Sequence, residues 1–286
     1  MQISIVADEL SGDPETAFEI GLEWGVSRFE LRGVHDQRVP RLTVHARQRL
    51  VRAVKSFGVT VTAISPGLFK IPFPPDQPAH SNLRWMDEGF FRAWTDQREV
   101  LRDHVENLLP ESLDFAAEIG AGFVIVFSFH RAGAAAGSAP AGVVETLAHA
   151  AEAAHARGLT LLVETEEGHW ANSGALTTEL LERADRPAMA ANWDPANALI
   201  EGDVPYPAGY EAVRRHVRNV HFKDVVRNSD GSWEIAAQGQ VDWRGQIAAL
   251  KADGYGGAIA VEPHLSPSVA STRNALRRLS DLIGST

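Results

Sequence analysis

The sequence predicts an α/β protein folded as a single (β/α)8 barrel over residues 1–286. Eight short apolar runs, rich in β-branched residues, alternate with longer stretches of helical period. Runs buried on both faces and separated by helices indicate parallel strands joined by crossovers. The length of 286 residues is that of one such barrel. The turn after the first run, Ala7-Asp8-Glu9-Leu10-Ser11-Gly12-Asp13, lacks the glycine-rich phosphate loop expected of a doubly wound open sheet.

The elements follow in order. Ile3-Ser4-Ile5-Val6 is the first strand, and a helix over 14–25 has Pro14 in its first turn and Gly25 at its end. Arg28-Phe29-Glu30-Leu31 is the second strand. A helix over 41–57 stops at Gly58 and delivers the third, Val59 to Ile64. Residues 65–95, rich in proline and aromatics from Ser65-Pro66-Gly67-Leu68-Phe69 through Phe73-Pro74-Pro75 to Trp85 and Trp94, read as a long loop after strand three. A helix from Asp96 to Gly120 leads to Phe123-Val124-Ile125-Val126-Phe127, and the Gly/Ala-rich stretch 131–142 reads as flexible linkage. Leu159 to Val163, Met189 to Trp193, Val217 to Phe222 and Ala258 to Val261 complete the set. Both long connections follow strands, the face on which barrels carry their active sites.

Composition narrows the function. With 37 Asp and Glu against 27 Lys and Arg, the formal charge of -10 argues against nucleic acid and anionic membrane as partners. The absence of cysteine excludes disulfides, Cys-based zinc sites and thiol nucleophiles, so a metal would rest on Asp, Glu and His. The opening MQISIVADEL has no signal-peptide pattern and no apolar run approaches a membrane span. A cytoplasmic enzyme is expected.

Four consecutive strands end in a carboxylate or an imidazole: Glu164, Asp194, His221 and Glu262, spaced by 30, 27 and 41 residues, about one βα unit each. Unpaired ionised groups are unfavourable at the ends of apolar strands, and three converging carboxylates repel one another. One divalent cation resolves both difficulties. An oxygen-rich set with one nitrogen and no sulfur suits Mn²⁺ first, with Mg²⁺, Co²⁺ or Zn²⁺ as alternatives.

These residues resemble the sugar isomerase/epimerase superfamily with a xylose-isomerase-like barrel, which includes ketose 3-epimerases, hydroxypyruvate isomerases and inosose dehydratases. The likeness covers nearly the whole chain. It is most specific at Val163-Glu164, Asp194-Pro195-Ala196-Asn197, Val220-His221-Phe222-Lys223-Asp224, Gly239-Gln240-Val241-Asp242-Trp243 and Val261-Glu262-Pro263. It implies Glu164, Asp194, His221 and Glu262 as metal ligands, with Glu164 and Glu262 also as the proton-transfer pair. Arg227, six residues past the ligand histidine, stands where the family contacts substrate hydroxyls. Asn197 replaces the histidine of many ketose epimerases, and Ala237-Gln238-Gly239 keeps one of the family's two glycines. A homodimer or tetramer is also implied.

Lys223 follows the ligand histidine and is placed to steady an oxyanion or a substrate carboxylate. His169, in the loop after strand five, and His130, after strand four with Ser128, are further candidates for substrate contact. Glu30 with Arg32 reads as an outer ion pair, and Trp193 as packing. His45, His104, His149, His155 and His216 fall in helical stretches and read as surface or helix-end residues. The expected activity is metal-dependent sugar isomerisation or epimerisation through an enediolate. The alternative is dehydration of a keto-inositol or related polyol at the same site. A DNA-cleaving relative with three zinc ions would need further histidines where Asn197 and Val241-Asp242-Trp243 stand.

Overall fold

A computed structural model describes residues 1–73 and 97–285. Eight parallel strands close into a barrel: β1 (Gln2–Val6), β2 (Arg28–Leu31), β3 (Thr60–Leu68), β4 (Phe123–Val126), β5 (Thr160–Glu164), β6 (Met189–Trp193), β7 (Val217–Phe222) and β8 (Ala258–Val261). Each strand pairs with its neighbours in sequence, and β8 closes on β1 through the register Ile3 with Ile259 and Ile5 with Val261.

The helices are α1 (Pro14–Glu23), α2 (Val44–Phe57), α3 (Gln97–Asp103), α4 (Leu109–Ile119), α5 (Ala141–His155), α6 (Gly174–Ala184), α7 (Pro195–Ile200), α8 (Tyr210–Val213), α9 (Trp243–Ala252) and α10 (Ser268–Ser285). Asp13 caps α1 by accepting from the Thr16 N–H, with Pro14 as the first helical residue. Gly58 ends α2 in the left-handed region at φ 64°, a conformation that favours glycine. No helix among the described residues is long and apolar enough to cross a membrane.

Strand parity sorts the side chains. Val163, Ala191, Val220 and Val261 face the helices and join the main core. Residues of the other parity point into the barrel, where Ala63, Ile125, Leu162 and Ala190 form a small apolar plug. Two positions further along those strands stand Phe127, Glu164 and Asn192, with Asp194 two beyond Asn192. The same alternation raises Asn219 and His221 on β7, Ala260 on β8 and Glu30 on β2, and continues one residue past each strand end to Lys223, Glu262 and Arg32. Period-two geometry therefore stacks polar groups above the plug and delivers charge to the C-terminal mouth.

Three expectations need correction. Strand three does not end at Ile64: β3 runs to Leu68, and its pairing with β4 shifts register between Ile64 and Leu68. That irregularity accommodates Pro66 within a strand. The loop after β3 therefore begins beyond Leu68; Pro74, Pro75, Trp85 and Trp94 lie outside the described residues. His104 is not at the surface, because its buried Nδ1 accepts the Phe69 N–H at 2.9 Å. The 131–142 connection is tethered, with Arg131 donating to the His169 carbonyl at 3.1 Å and pairing with Glu201 at 2.5 Å.

Candidate metal centre and active site

Glu164, Asp194, His221 and Glu262 meet at the mouth, each offering a ligand atom within 4.8 Å of the others. All four are buried. His221 Nδ1 stands 3.0 Å from Glu262 Oε2, 3.3 Å from Glu164 Oε1 and 3.9 Å from Asp194 Oδ2. Asp194 is also the cap of α7: its Oδ1 accepts from the Ala196 and Asn197 N–H groups, both at 3.0 Å. Its Oδ2 is thereby left facing the cluster.

That oxygen is buried 2.6 Å from Lys223 Nζ, and Glu262 Oε2 is buried 3.0 Å from His221 Nδ1. Buried carboxylate oxygens turned toward an imidazole nitrogen are the donor set a divalent ion takes. The residues fit such an ion.

The other face of His221 is fixed from below. Its Nε2 lies 3.1 Å from Glu30 Oε2, and Asn219 donates to the same Glu30 oxygen at 3.2 Å and to Asn192 Oδ1 at 2.9 Å. A carboxylate accepting Nε2–H leaves the Nδ1 lone pair for a metal. Glu30 thus serves His221 and not Arg32, contrary to the sequence reading, because the two differ by one step of inward parity along β2. Arg32 reaches higher and binds Asp8 at 2.9 Å, Glu9 at 2.9 Å and Glu262 at 2.6 Å.

A second acid–imidazole group, Glu9, Glu262 and His264, lies beside the first. Its oxygens are already engaged: Glu9 Oε1 receives Arg32 and sits 2.8 Å from His264 Nδ1. Arg32 supplies the positive charge there, and Glu9 Oε1, Glu9 Oε2 and Glu262 Oε1 already have partners in Arg32 and His264.

Electrostatics separate the two glutamates. Burial pushes the Glu164 carboxyl up, and the neighbouring His221 only partly offsets it. Burial acts the same way on Glu262, but His221 and His264 outweigh it and hold that carboxyl well below the usual range. Burial opposes a charged His221, yet Glu30, Glu262 and Glu164 raise it well above the ordinary histidine range. Burial likewise opposes charge on His264, but Glu262 and Glu9 lift it to about 9.

Above the cluster opens a cavity of about 430 Å³, lined among others by Arg32, Arg38, Ser65, Lys70, Phe127, Glu164, Glu166, Asn197, Lys223, Glu262 and His264. Lys223 Nζ reaches Asp194 Oδ2 at 2.6 Å, and not its neighbour Asp224, which pairs with Arg278 at 2.7 Å. Asn197 lines the cavity while donating to Glu166 at 2.9 Å and to the Thr165 carbonyl at 3.0 Å. Glu166 pairs with Lys70 at 2.7 Å; burial would raise its carboxyl, but Lys70, His169 and Lys223 press it down to about 2.

Three candidates do not reach the cavity wall. Arg227 lies exposed on an antiparallel ribbon of Val225–Arg227 with Trp233–Ile235, its guanidinium over the Trp233 ring. His130 and His169 are buried edge to face, 5.4 Å between ring centres, with Phe127 packed on His169. His130 Nδ1 accepts the Ala132 N–H and His169 Nδ1 sits 2.7 Å from the Glu167 carbonyl, so both rings hold loops in place. Arg38, Lys70, Glu9 and His264 have no sequence reading behind them. Only Arg32 carried a usable signal, the alternation Arg28, Glu30, Arg32.

An eight-stranded parallel barrel with a carboxylate and imidazole cluster at its C-terminal mouth defines a class of fold with a recessed polar site. The chain belongs to the xylose isomerase-like TIM barrel family, whose model matches residues 18–282. Among solved structures it resembles the IOLI protein with a binding zinc atom, at 13% identity and a TM-score of 0.76, covering 100% of this chain and 99% of that one. It also resembles D-psicose 3-epimerase from Clostridium cellulolyticum H10, solved with D-tagatose, at 14% identity and TM-score 0.68, covering 99% of both chains. A third is the probable 3-DHS dehydratase AsbF from Bacillus anthracis, at 16% identity and TM-score 0.68, covering 98% of this chain and 99% of that one. These likenesses are of fold. No curated protein matches the sequence.

Proposed function

We propose that the chain is a divalent-metal-dependent sugar isomerase or epimerase, with Glu164, Asp194, His221 and Glu262 holding the ion. The observation that carries this reading is the convergence of Glu164, Asp194, His221 and Glu262, all buried, each with a ligand atom within 4.8 Å of the others. A neighbour of the same fold with zinc bound, and another solved with a ketose, support it.

Moving a proton next to a carbonyl needs a positioned base and stabilisation of the enediolate. The ion, when bound, supplies Lewis-acid charge and orients the substrate oxygens. Glu164 on β5 and Glu262 after β8 approach from separated staves, so one removes the proton and the other returns it. Return to the opposite face of the same carbon epimerises; return to the neighbouring carbon isomerises. Arg32 and His264 fix the Glu262 carboxylate through its Oε1 and leave Oε2 toward the centre. Lys223 holds Asp194 and stands where charge develops on a substrate oxygen. Phe127 and Ile200 give the cavity its apolar wall.

The test is to incubate Mn²⁺-loaded protein with D-fructose, D-tagatose and D-psicose in deuterated water. Solvent deuterium entering the carbon next to the carbonyl, with an epimer or aldose as product, is the expected result. A new ultraviolet-absorbing product with loss of water would assign dehydration and overturn the reading, as would failure to bind any divalent ion.

A further inference from the structure

We propose that the substrate of this cavity carries a carboxylate and that Arg38 binds it, making the substrate class a polyhydroxylated acid. This rests on the cavity being the substrate site.

Four permanent cations line the cavity: Arg32, Arg38, Lys70 and Lys223. Three are matched. Arg32 binds three carboxylates, Lys70 pairs with Glu166, and Lys223 with Asp194. Arg38 differs: among the described residues no carboxylate lies within ion-pair distance of it. Its Nε donates to the Ser65 carbonyl at 3.0 Å and one terminal nitrogen to Ser65 Oγ at 3.2 Å. Both partners are neutral. They fix the plane of the guanidinium and leave it with no carboxylate in direct contact.

The placement is built into the chain. A short ribbon, Gly33–Val34 with Gln37–Arg38, carries Arg38 over β3, and the Val39 N–H closes it onto the Arg32 carbonyl at 3.1 Å. The guanidinium lies against Gly67, where a Cβ would stand 3.2 Å from Arg38 Nε and where φ is +77°. A glycine is thus required both for the backbone turn and for the room the side chain takes. A half-buried guanidinium with no carboxylate in contact has a rigid fork free to match the two oxygens of a bound carboxylate. Arg38 shares the cavity with Glu164 and Glu262, so a short chain spans from the reacting carbon to the fork.

The experiment compares two six-carbon probes, gluconate and glucitol, in which a terminal carboxylate of the first stands where the second has a CH2OH. Binding is measured calorimetrically on the Mn²⁺-loaded protein and on Arg38→Gln and Arg38→Lys. Gluconate is expected to bind about tenfold to a hundredfold more tightly than glucitol, the range for a charge-assisted hydrogen-bonded pair. Arg38→Gln removes that preference, Arg38→Lys restores part of it, and Mn²⁺ affinity is unchanged in both. Equal binding of the two probes, or a preference that persists in Arg38→Gln, overturns the proposal. Glucitol 6-phosphate binding more tightly than gluconate through Arg38 would replace the carboxylate with a phosphate ester and overturn it too. Loss of Mn²⁺ binding by the wild-type protein would instead defeat the metal-centre reading, which this comparison registers separately.

Discussion

His221 presents Nε2 to Glu30 Oε2 at 3.1 Å and Nδ1 to Glu262 Oε2 at 3.0 Å, so one ring joins the polar layer inside the barrel to the cluster at its mouth. The lower contact sets the tautomer that the upper one needs. Glu30→Gln exchanges a charged acceptor for an amide that can also present N–H to the ring. Calorimetric titration with Mn²⁺ is expected to show a drop in affinity of about 10–100-fold, typical for loss of a carboxylate behind a ligand histidine. Unchanged affinity would remove His221 from the coordination set.

Glu262→Gln keeps three of the four proposed ligands and an amide oxygen in place of the fourth. Partial Mn²⁺ binding with turnover lost is the expected pattern, read by titration beside the deuterium-incorporation assay. Activity near the wild-type level would refute Glu262 as a proton carrier.

Arg32 is the counter-ion of two buried carboxylates, Glu9 and Glu262, and of Asp8. Arg32→Gln strands those charges at the mouth. Removing one partner of a buried ion pair costs about 3–5 kcal/mol, which denaturant unfolding will register as a lower midpoint at constant slope. Arg32→Lys keeps the charge but loses the fork that reaches three acids, and recovers part of the loss.

Three buried imidazoles make stability fall in acid. Desolvation is the leading cause in each, pushing His104 and His130 down to about 4 and His169 to about 3. The unfolded chain takes up these protons first, near the ordinary histidine value. The contribution of these three groups is therefore complete above about pH 6.5 and declines as the pH falls toward 4, by about 3 kcal/mol for each group that acts alone. His104→Gln retains an acceptor for the Phe69 N–H and no longer titrates. Its midpoint against pH is expected to slope less steeply between 6.5 and 4; an unaltered slope would exclude His104 as a source.

Chelation has its own pH sense. The carboxylates around His221 favour its protonated form, and an ion must displace that proton. Apparent Mn²⁺ affinity should rise with pH. Free ion at about a hundred times its dissociation constant adds about 2.7 kcal/mol, visible as a thermal shift that chelator reverses.

What could be read from the chain was local and periodic. Runs such as Leu161-Leu162-Val163 and Val217 to Phe222 declare strands because alternation and β-branching act over a few residues, and a repeat of one βα unit carries Glu164, Asp194, His221 and Glu262 to equivalent heights. The long-range choices lay beyond it. Arg32 meets Glu262 across 230 positions, Glu30 turns to His221 across 191, and Arg227 stays out on its ribbon while Arg38 enters the cavity. Closing the barrel decided these, because which buried charges become partners depends on the stagger between strands and the path of the loops, and no stretch of sequence holds either one.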